Sequence, residues 1–334
     1  MKLFFSLALY ILTGHTFNYS KSSFEVGPDP AIKYANSITL EELKINLYEF
    51  ASDAYEGRNT GELGQKKAAA FLKDQYKNSG VATPIGNDDY FQEIPASFLP
   101  AGIKDSENVV AFVAGTTFPE EIIVISAHYD HIGIENGEIY NGADDDASGT
   151  VAILEIAEAF QLAANEGKGP KRSLLFLHVT AEEKGLFGSK WYVENPLFPI
   201  ENHVANLNID MVGRVDDAHK NKPNFIYLIG ADKLSSELHE VSEEANKKFV
   251  NLDLDYTFND ENDPNRFYYR SDHYNFAKKN IPVIFYFNGV HEDYHKASDT
   301  AEKINYELLT KRTKLIFHTA WEIANRTERL KLDK

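Results

Sequence analysis

Six short apolar runs without hydrophobic alternation constrain the fold of this chain more than any other feature. They lie at residues 108–114, 121–126, 173–179, 203–209, 225–229 and 283–287. Uninterrupted apolar runs of this length are typical of strands that are covered on both faces. Helical patterns separate several of the runs. The sequence therefore predicts an α/β fold with a mixed, mostly parallel central sheet flanked by helices on both faces.

Four segments have the periodicity of helices. Residues 38–52 place Leu40, Leu43, Leu47 and Phe50 on one face, as an amphipathic helix does. The other helical segments are residues 64–76, 148–163 and 301–324. No linker or internal repeat divides the chain, so residues 21–334 are expected to form a single globular domain.

The first residues are expected to be a signal peptide. Lys2 is followed by an apolar run from Leu3 to Leu12 that only Ser6 interrupts. Such a run is too short to span a bilayer but fits a signal-peptide core. A membrane-tethered or buried N-terminal helix is the alternative. Residues 1–20 are assigned to the signal, although the stretch after Leu12 lacks a clean cleavage site. The mature protein is then expected to be secreted or periplasmic, without stable membrane association.

Charge and cysteine content narrow the partners and the chemistry. The 34 Lys and Arg and 51 Asp and Glu residues give a net charge of −17, which argues against nucleic acid as a partner. The chain has no cysteine. Disulfides and thiolate chemistry are therefore excluded, and any metal must be held by His, Asp and Glu.

Histidine and acidic residues occur in five groups at the ends of four of the apolar runs or in an adjoining loop. They are His128, Asp130 and His131, then Asp144, Asp145 and Asp146, then Glu182 and Glu183, then Asp210, and finally His291, Asp293 and His295. In a largely parallel sheet, the carboxyl ends of the strands meet at one edge, where ligands bind. Histidine and carboxylate groups converging there predict a metal site.

Two neighbouring divalent ions need one bridging carboxylate, and a histidine and a carboxylate at each end. The sequence offers this set of two histidines and three carboxylates. Glu182 remains as a spare acid beside Glu183. A base next to a metal-activated water is what hydrolysis of an amide requires.

Four blocks of residues, 127–133, 142–149, 181–185 and 294–300, occur in an order that resembles the co-catalytic zinc peptidases. That family includes secreted bacterial leucine aminopeptidases, glutamate carboxypeptidase, the transferrin receptor and glutaminyl cyclase. The resemblance extends from about Leu43 to the last helix. It implies two Zn²⁺ per chain. Its metal ligands in this sequence would be His128 and Asp210 on one ion, Glu183 and His295 on the other, and Asp144 as the bridge.

The resemblance also implies catalytic roles. Glu182 would be the general base, and Asp130 would orient the ring of His128. A tyrosine four residues before the Asp of a Ser-Asp-His segment would stabilise the oxyanion, which points to Tyr268. A cis peptide bond is expected between Asp144 and Asp145. His131 is interpreted as a structural, hydrogen-bonding histidine and His291 as a loop residue outside the ligand set.

The function that the resemblance implies is a metallopeptidase, an aminopeptidase acting on peptide substrates. A carboxypeptidase is less favoured because the small members of the family are mostly aminopeptidases. One alternative is a single-zinc acyltransferase similar to glutaminyl cyclase. Another is a non-catalytic binding module, against which the complete ligand set and Glu182 argue.

Overall fold

The structure is a computed structural model that describes residues 29–334. The predicted signal peptide, residues 1–20, lies outside the described residues. The strands are β1 (Phe91–Ile94), β2 (Ser106–Val113), β3 (Phe118–His128), β4 (Gly133–Glu135), β5 (Glu138–Tyr140), β6 (Arg172–Val179), β7 (His203–Ile209), β8 (Phe225–Ile229), β9 (Asp253–Asp255) and β10 (Val283–Phe287). The helices are α1 (Pro30–Ala35), α2 (Leu40–Phe50), α3 (Leu63–Ser79), α4 (Gly149–Asn165), α5 (Phe187–Glu194), α6 (Ser236–Ala245), α7 (His273–Ala277) and α8 (Tyr306–Asn325).

The main sheet has eight strands in the order β1-β2-β6-β3-β7-β10-β8-β9, and β4 pairs with β5 in a separate hairpin. The central strands β6, β3, β7 and β10 run parallel to one another. Antiparallel pairs flank them at β1-β2, β2-β6 and β10-β8. The predicted mixed sheet is confirmed, and the predicted bounds of β7, β8 and β10 match the structure.

Strand β3 shows why its apolar run does not alternate. Ile123 and Ile125 belong to the core that helices α2, α4 and α8 cover. Ile122 and Val124 point the other way and pack in a second core with Tyr192 of α5 and Phe276 of α7. Because successive residues of a strand face opposite sides, a strand that is covered twice needs apolar residues at every position.

The parallel pairing of the central strands determines where the histidine and acidic residues of the site lie. Strands β3, β6, β7 and β10 all end at the same edge of the sheet, and the histidine and acidic residues follow those ends. The turn at residues 143–148 then leads into α4. One helical stretch of the described chain, Ala143–Asn165, is long and apolar enough to cross a membrane, but 78% of its most apolar window is buried inside the protein.

A buried acid on α4 gives a test of the packing between α2 and α4. Glu155 is 4% exposed, and its Oε1 accepts a hydrogen bond of 3.1 Å from Asn46 on α2. Burial, followed by the nearby charges of Glu42 and Glu158, raises the pKa of Glu155 from 4.5 to about 8.

We predict that Glu155→Gln stabilises the fold at neutral pH. A carboxyl whose pKa is raised by folding favours the folded state fully below pH 4.5, and this contribution is lost as the pH rises towards 8. Each pKa unit corresponds to about 1.4 kcal/mol, so the variant should gain up to a few kcal/mol above pH 8 and little in acid. Urea unfolding of chelator-treated protein across this range measures the difference, with the exposed Glu41→Gln as control. An equal gain at every pH would contradict the prediction.

Candidate metal centre

The first group of ligand-type side chains lies at the ends of β3 and β7. His128 Nε2 is 3.1 Å from Asp145 Oδ1 and 3.6 Å from Asp210 Oδ1. All three residues are buried, and one ligand atom from each lies within 4.8 Å of the others. Ser271 donates a hydrogen bond of 2.7 Å to the other oxygen of Asp210, which directs Asp210 Oδ1 towards the group.

The second group shares Asp145 with the first. His295 Nε2 is 3.1 Å from Asp145 Oδ2 and 3.3 Å from Glu183 Oε2. His131 Nδ1 lies 2.9 Å from Glu183 Oε1 and 3.9 Å from Asp145 Oδ2. The two oxygens of Asp145 therefore face two different sets of donors.

Four atoms of the second group have no hydrogen-bond partner although they are buried. They are Asp145 Oδ2, Glu183 Oε1 and both ring nitrogens of His131. Buried polar atoms are nearly always paired, and unpaired ones call for an explanation such as an ion. A divalent cation would satisfy the two carboxylate oxygens and one ring nitrogen of His131, and the imidazole and carboxylate donors suit zinc. The residues of both groups fit metal ions.

The shared carboxylate belongs to Asp145 and not to Asp144, the sequence-based choice. Asp144 points away from both groups. Its Oδ1 accepts a hydrogen bond of 2.6 Å from the Gly213 backbone, and its Oδ2 accepts one of 3.0 Å from Asn288. His291 Nε2 lies 3.2 Å from the same Oδ2.

The error is one position in a run of three aspartates. The carboxylate of Asp146 also bonds elsewhere, because its Oδ1 accepts hydrogen bonds from the backbone N–H groups of Gly149 and Met211. Of the three, Asp145 is the one that faces His128, His131 and His295. The cis peptide bond likewise lies at Asp145-Asp146, so the expectation for Asp144-Asp145 was wrong. Nothing in the spacing distinguishes the three residues, since the difference arises from the turn of the chain before α4.

Asp130 has a different task from the one predicted. The ring of His128 contacts the backbone oxygen of Asp130, 3.1 Å from Nδ1, whereas the carboxylate is 3.9 Å away. The carboxylate instead accepts hydrogen bonds from the Glu182 backbone at 3.1 Å and from Thr60 at 2.7 Å. Asp130 thus connects the loop after β6 to the end of β3, and Thr60 is a residue that the sequence analysis did not assign.

A small cavity of about 40 Å³ opens beside the two groups. From the metal centre, its wall includes His128, Asp145, Glu182, Asp210 and His295. The remainder of the wall consists of Met211, Phe267, Arg270, Phe285, Phe287, Val290 and Tyr294. Burial, and then the charges of His128 and neighbouring acids, act on Glu182, and the pKa of this carboxyl is raised well above its usual range.

The tyrosine on the cavity wall is Tyr294 and not the predicted Tyr268. Tyr268 lines a separate groove with Lys233 and Glu261, and the Lys233 ammonium lies 5.0 Å from its ring centre. Tyr294 stacks on the ring of His295 at 3.9 Å. Burial and then the charges of nearby carboxylates, Asp145 first, raise its pKa. Its position directly before His295 is the signal that could have identified it.

The comparisons with known proteins agree with this geometry. Residues 108–320 match the model of Peptidase family M28. The chain belongs to peptidase family M28. Mouse carboxypeptidase Q is 31% identical over 137 residues, which make up 41% of this chain and 26% of that protein. Rat aminopeptidase NAALADL1 is 29% identical over 140 residues, 41% of this chain and 18% of that protein. The matched segment thus spans about a quarter of these relatives or less.

Solved structures of other proteins share the fold of this chain. The LapA aminopeptidase of Legionella pneumophila has a TM-score of 0.69 and 22% identity, and the match covers 89% of this chain and 75% of that one. An aminopeptidase from Aneurinibacillus sp. strain AM-1 has a TM-score of 0.66 and 17% identity, covering 91% and 98%. The chain therefore has the fold that these aminopeptidases share.

We predict that Asp145→Asn and Asp144→Asn differ in metal content. A neutral amide is a poor ligand for a divalent cation, so Asp145→Asn should lose most of its bound zinc. Asp144→Asn should keep its zinc and show a lower free energy of unfolding, because it weakens hydrogen bonds to Gly213 and Asn288. Elemental analysis after dialysis measures the content. Loss of zinc from Asp144→Asn alone would restore the sequence-based assignment.

Proposed function

We propose that this chain is an aminopeptidase that uses two zinc ions to release the N-terminal residue of peptides. The observation that supports the proposal is the position of Asp145, whose two oxygens face two separate ligand groups. A carboxylate shared in this way is what a pair of adjacent ions requires. Glu182 lies beside them on the wall of a small cavity that both polar and apolar side chains line.

The ligands divide between the two ions. His128 and Asp210 would hold the first zinc, Glu183 and His295 the second, and Asp145 both. The pair would polarise the substrate carbonyl and make a water acidic enough to serve as nucleophile near neutral pH. Asp130 contributes by holding the backbone of Glu182 and, through its carbonyl, the ring of His128.

Glu182 moves the proton. Its carboxylate accepts a proton from the attacking water and then donates it to the nitrogen of the leaving amine, so that no free amide anion forms. In the protein without metal, the pKa of Glu182 is raised. Two cations nearby favour the ionised carboxylate, which is the form that a general base requires.

Tyr294 supplies a hydrogen-bond donor to the oxygen of the scissile carbonyl. Its raised pKa keeps the phenol protonated, so the hydroxyl can donate as negative charge develops on that oxygen. Tyr268, at the separate groove, is left with a packing role against Tyr274 and His273.

The cavity suits one terminal residue. Phe267, Phe285 and Phe287 form an apolar wall that favours an apolar side chain in the substrate. Asp210 and Glu182 also line the cavity and provide negative charge for the ammonium group of a free N-terminus. These features support an aminopeptidase.

A carboxypeptidase is the second candidate, and Arg270 favours it. Its guanidinium lines the cavity and lies 4.9 Å from the centre of the Phe267 ring. An arginine can pair with a carboxylate through two parallel hydrogen bonds, so it could receive a C-terminal carboxylate. The same group could instead bind the carboxylate of a short peptide whose N-terminal residue occupies the cavity.

An N-terminal apolar run and the net charge support a proposal for where the protein acts and on what. The run from Leu3 to Leu12 fits a signal peptide, and we place the enzyme outside the cytoplasm. The net charge of −17 disfavours anionic surfaces. Peptides are thus the partners, with neither nucleic acid nor a stable membrane contact.

The proposed function predicts cleavage of unblocked aminoacyl anilides. The purified protein should contain close to two zinc ions, hydrolyse leucine p-nitroanilide and leave its N-acetyl form intact. Glu182→Gln should retain both zincs while kcat falls by about 100-fold to 10,000-fold, the usual loss for a general base. Release of C-terminal residues from N-acetyl peptides would favour the carboxypeptidase. A single bound zinc with cyclisation of N-terminal glutamine would favour the acyltransferase.

The assignment of Tyr294 predicts a separate loss. Tyr294→Phe should lower kcat by about 100-fold or more, as removal of one donor to an oxyanion does, with zinc content unchanged. Tyr268→Phe is the matched control and should keep kcat within about two-fold, because Tyr268 lines the separate groove and not the cavity at the metal centre. Steady-state kinetics on the same anilide compares the two. If Tyr268→Phe caused the greater loss, the oxyanion role would return to Tyr268.

A further inference from the structure

His131 is the one histidine of the centre that the proposed mechanism leaves unused. Its side chain is fully buried, and its backbone N–H donates a hydrogen bond of 3.2 Å to the carbonyl of Arg58. The ring lies against Gly142, where a Cβ atom would come within 2.5 Å of the ring carbon Cδ2. The absence of a side chain at Gly142 thus leaves the space that the imidazole occupies.

We propose that His131 Nδ1 is a fourth protein ligand of the second metal ion. The inference rests on the proposed two-metal site and adds a residue to it. Nδ1 lies 2.9 Å from Glu183 Oε1 and 3.9 Å from Asp145 Oδ2. Two ligands at about 2.0–2.1 Å from one zinc in a tetrahedron are roughly 3.3 Å apart. The two measured separations lie on either side of that value.

The poor alignment of His131 Nδ1 with Glu183 Oε1 favours a metal ligand over a hydrogen-bond donor. Nδ1 of His131 and Oε1 of Glu183 are close, yet both are without a hydrogen-bond partner. Two ligands of a common ion lie close to each other in this way without N–H···O alignment. Asp145 Oδ2, 3.9 Å from His131 Nδ1, is a further buried atom without a partner that the same ion would satisfy.

The two metal positions then differ in how they are enclosed. The first has three protein ligands, His128, Asp145 and Asp210, all on the cavity wall. The second has four, and neither His131 nor Glu183 lines the cavity. A site with four protein ligands resembles closed, structural zinc sites, whereas three ligands leave a position open to substrate. The second position should therefore bind zinc more tightly and exchange it more slowly.

The test compares His131→Ala with His131→Asn in zinc affinity, measured by competition with a chromophoric chelator. The Asn side chain places an amide donor near the former Nδ1 but is a poor ligand. The inference predicts that both variants weaken the tighter site by more than about 100-fold, beyond the 10–100-fold typical of residues that only support a ligand. His203→Asn is the control, since His203 is also buried but bonds to Tyr192 at the opposite end of β7.

A measurement on the unmodified protein removes any dependence on how the variants fold. With one equivalent of zinc, X-ray absorption should show two imidazoles on the tightly bound ion. The inference would be overturned if X-ray absorption showed a single imidazole on the tightly bound zinc. It would also be overturned if His131→Asn bound zinc as tightly as the unmodified protein does. Either result would leave the two-metal function intact. An unmodified protein that binds fewer than two zincs would instead overturn the proposed function, and His131 would lose its role with it.

Discussion

Repulsion among carboxylates that lie close together at one edge of the sheet is the constraint on which the rest of the structure depends. Asp145, Asp210, Glu182 and Glu183 converge there, and Asp145 and Asp210 are almost fully buried. An unpaired buried charge costs several kcal/mol. Among the described residues, the cationic groups within 4 Å of Asp145 are all histidines, at positions 128, 131 and 295. Metal cations complete the charge balance that these imidazoles begin.

The surrounding fold holds this cluster by hydrogen bonds to the backbone. Asp299 Oδ2 accepts from the amides of Asp144 and Asp145 at 2.9 and 3.2 Å, which orients the shared carboxylate. The buried Arg58 donates to four backbone oxygens, those of Phe50, Tyr129, Asn141 and Gly142. These bonds connect the end of β3 to the loop before α4. The charged side chains of Asp299 and Arg58 thus form hydrogen bonds with backbone groups, and these bonds hold the loops around the centre in place.

The centre is asymmetric in its exposure to the cavity. His128, Asp210 and Glu182 line the cavity, whereas His131 and Glu183 do not. The aromatic side chains of Phe267, Phe285 and Phe287 form another part of the same wall. In the proposed function, the residues that line the cavity select the substrate, and His131 and Glu183 help to retain the metal.

The sequence by itself determined the sheet and the types of residue that meet at its edge. The apolar runs at 203–209, 225–229 and 283–287 matched the strands because a strand covered on both faces must be apolar at every position. His128, Glu183, Asp210 and His295 were identifiable because each follows the end of a parallel strand or its loop, and those ends share one edge.

Only the tertiary structure decided which neighbour in a run of similar residues faces the centre. Asp144, Asp145 and Asp146 are chemically identical, and their directions depend on the turn before α4 and on partners distant in sequence, Gly213 and Asn288. Tyr268 and Tyr294 were indistinguishable for the same reason, since a phenol acts where its loop places it. Local patterns encode which residue types meet at an edge, whereas the direction of each side chain is set by contacts between segments far apart in the chain.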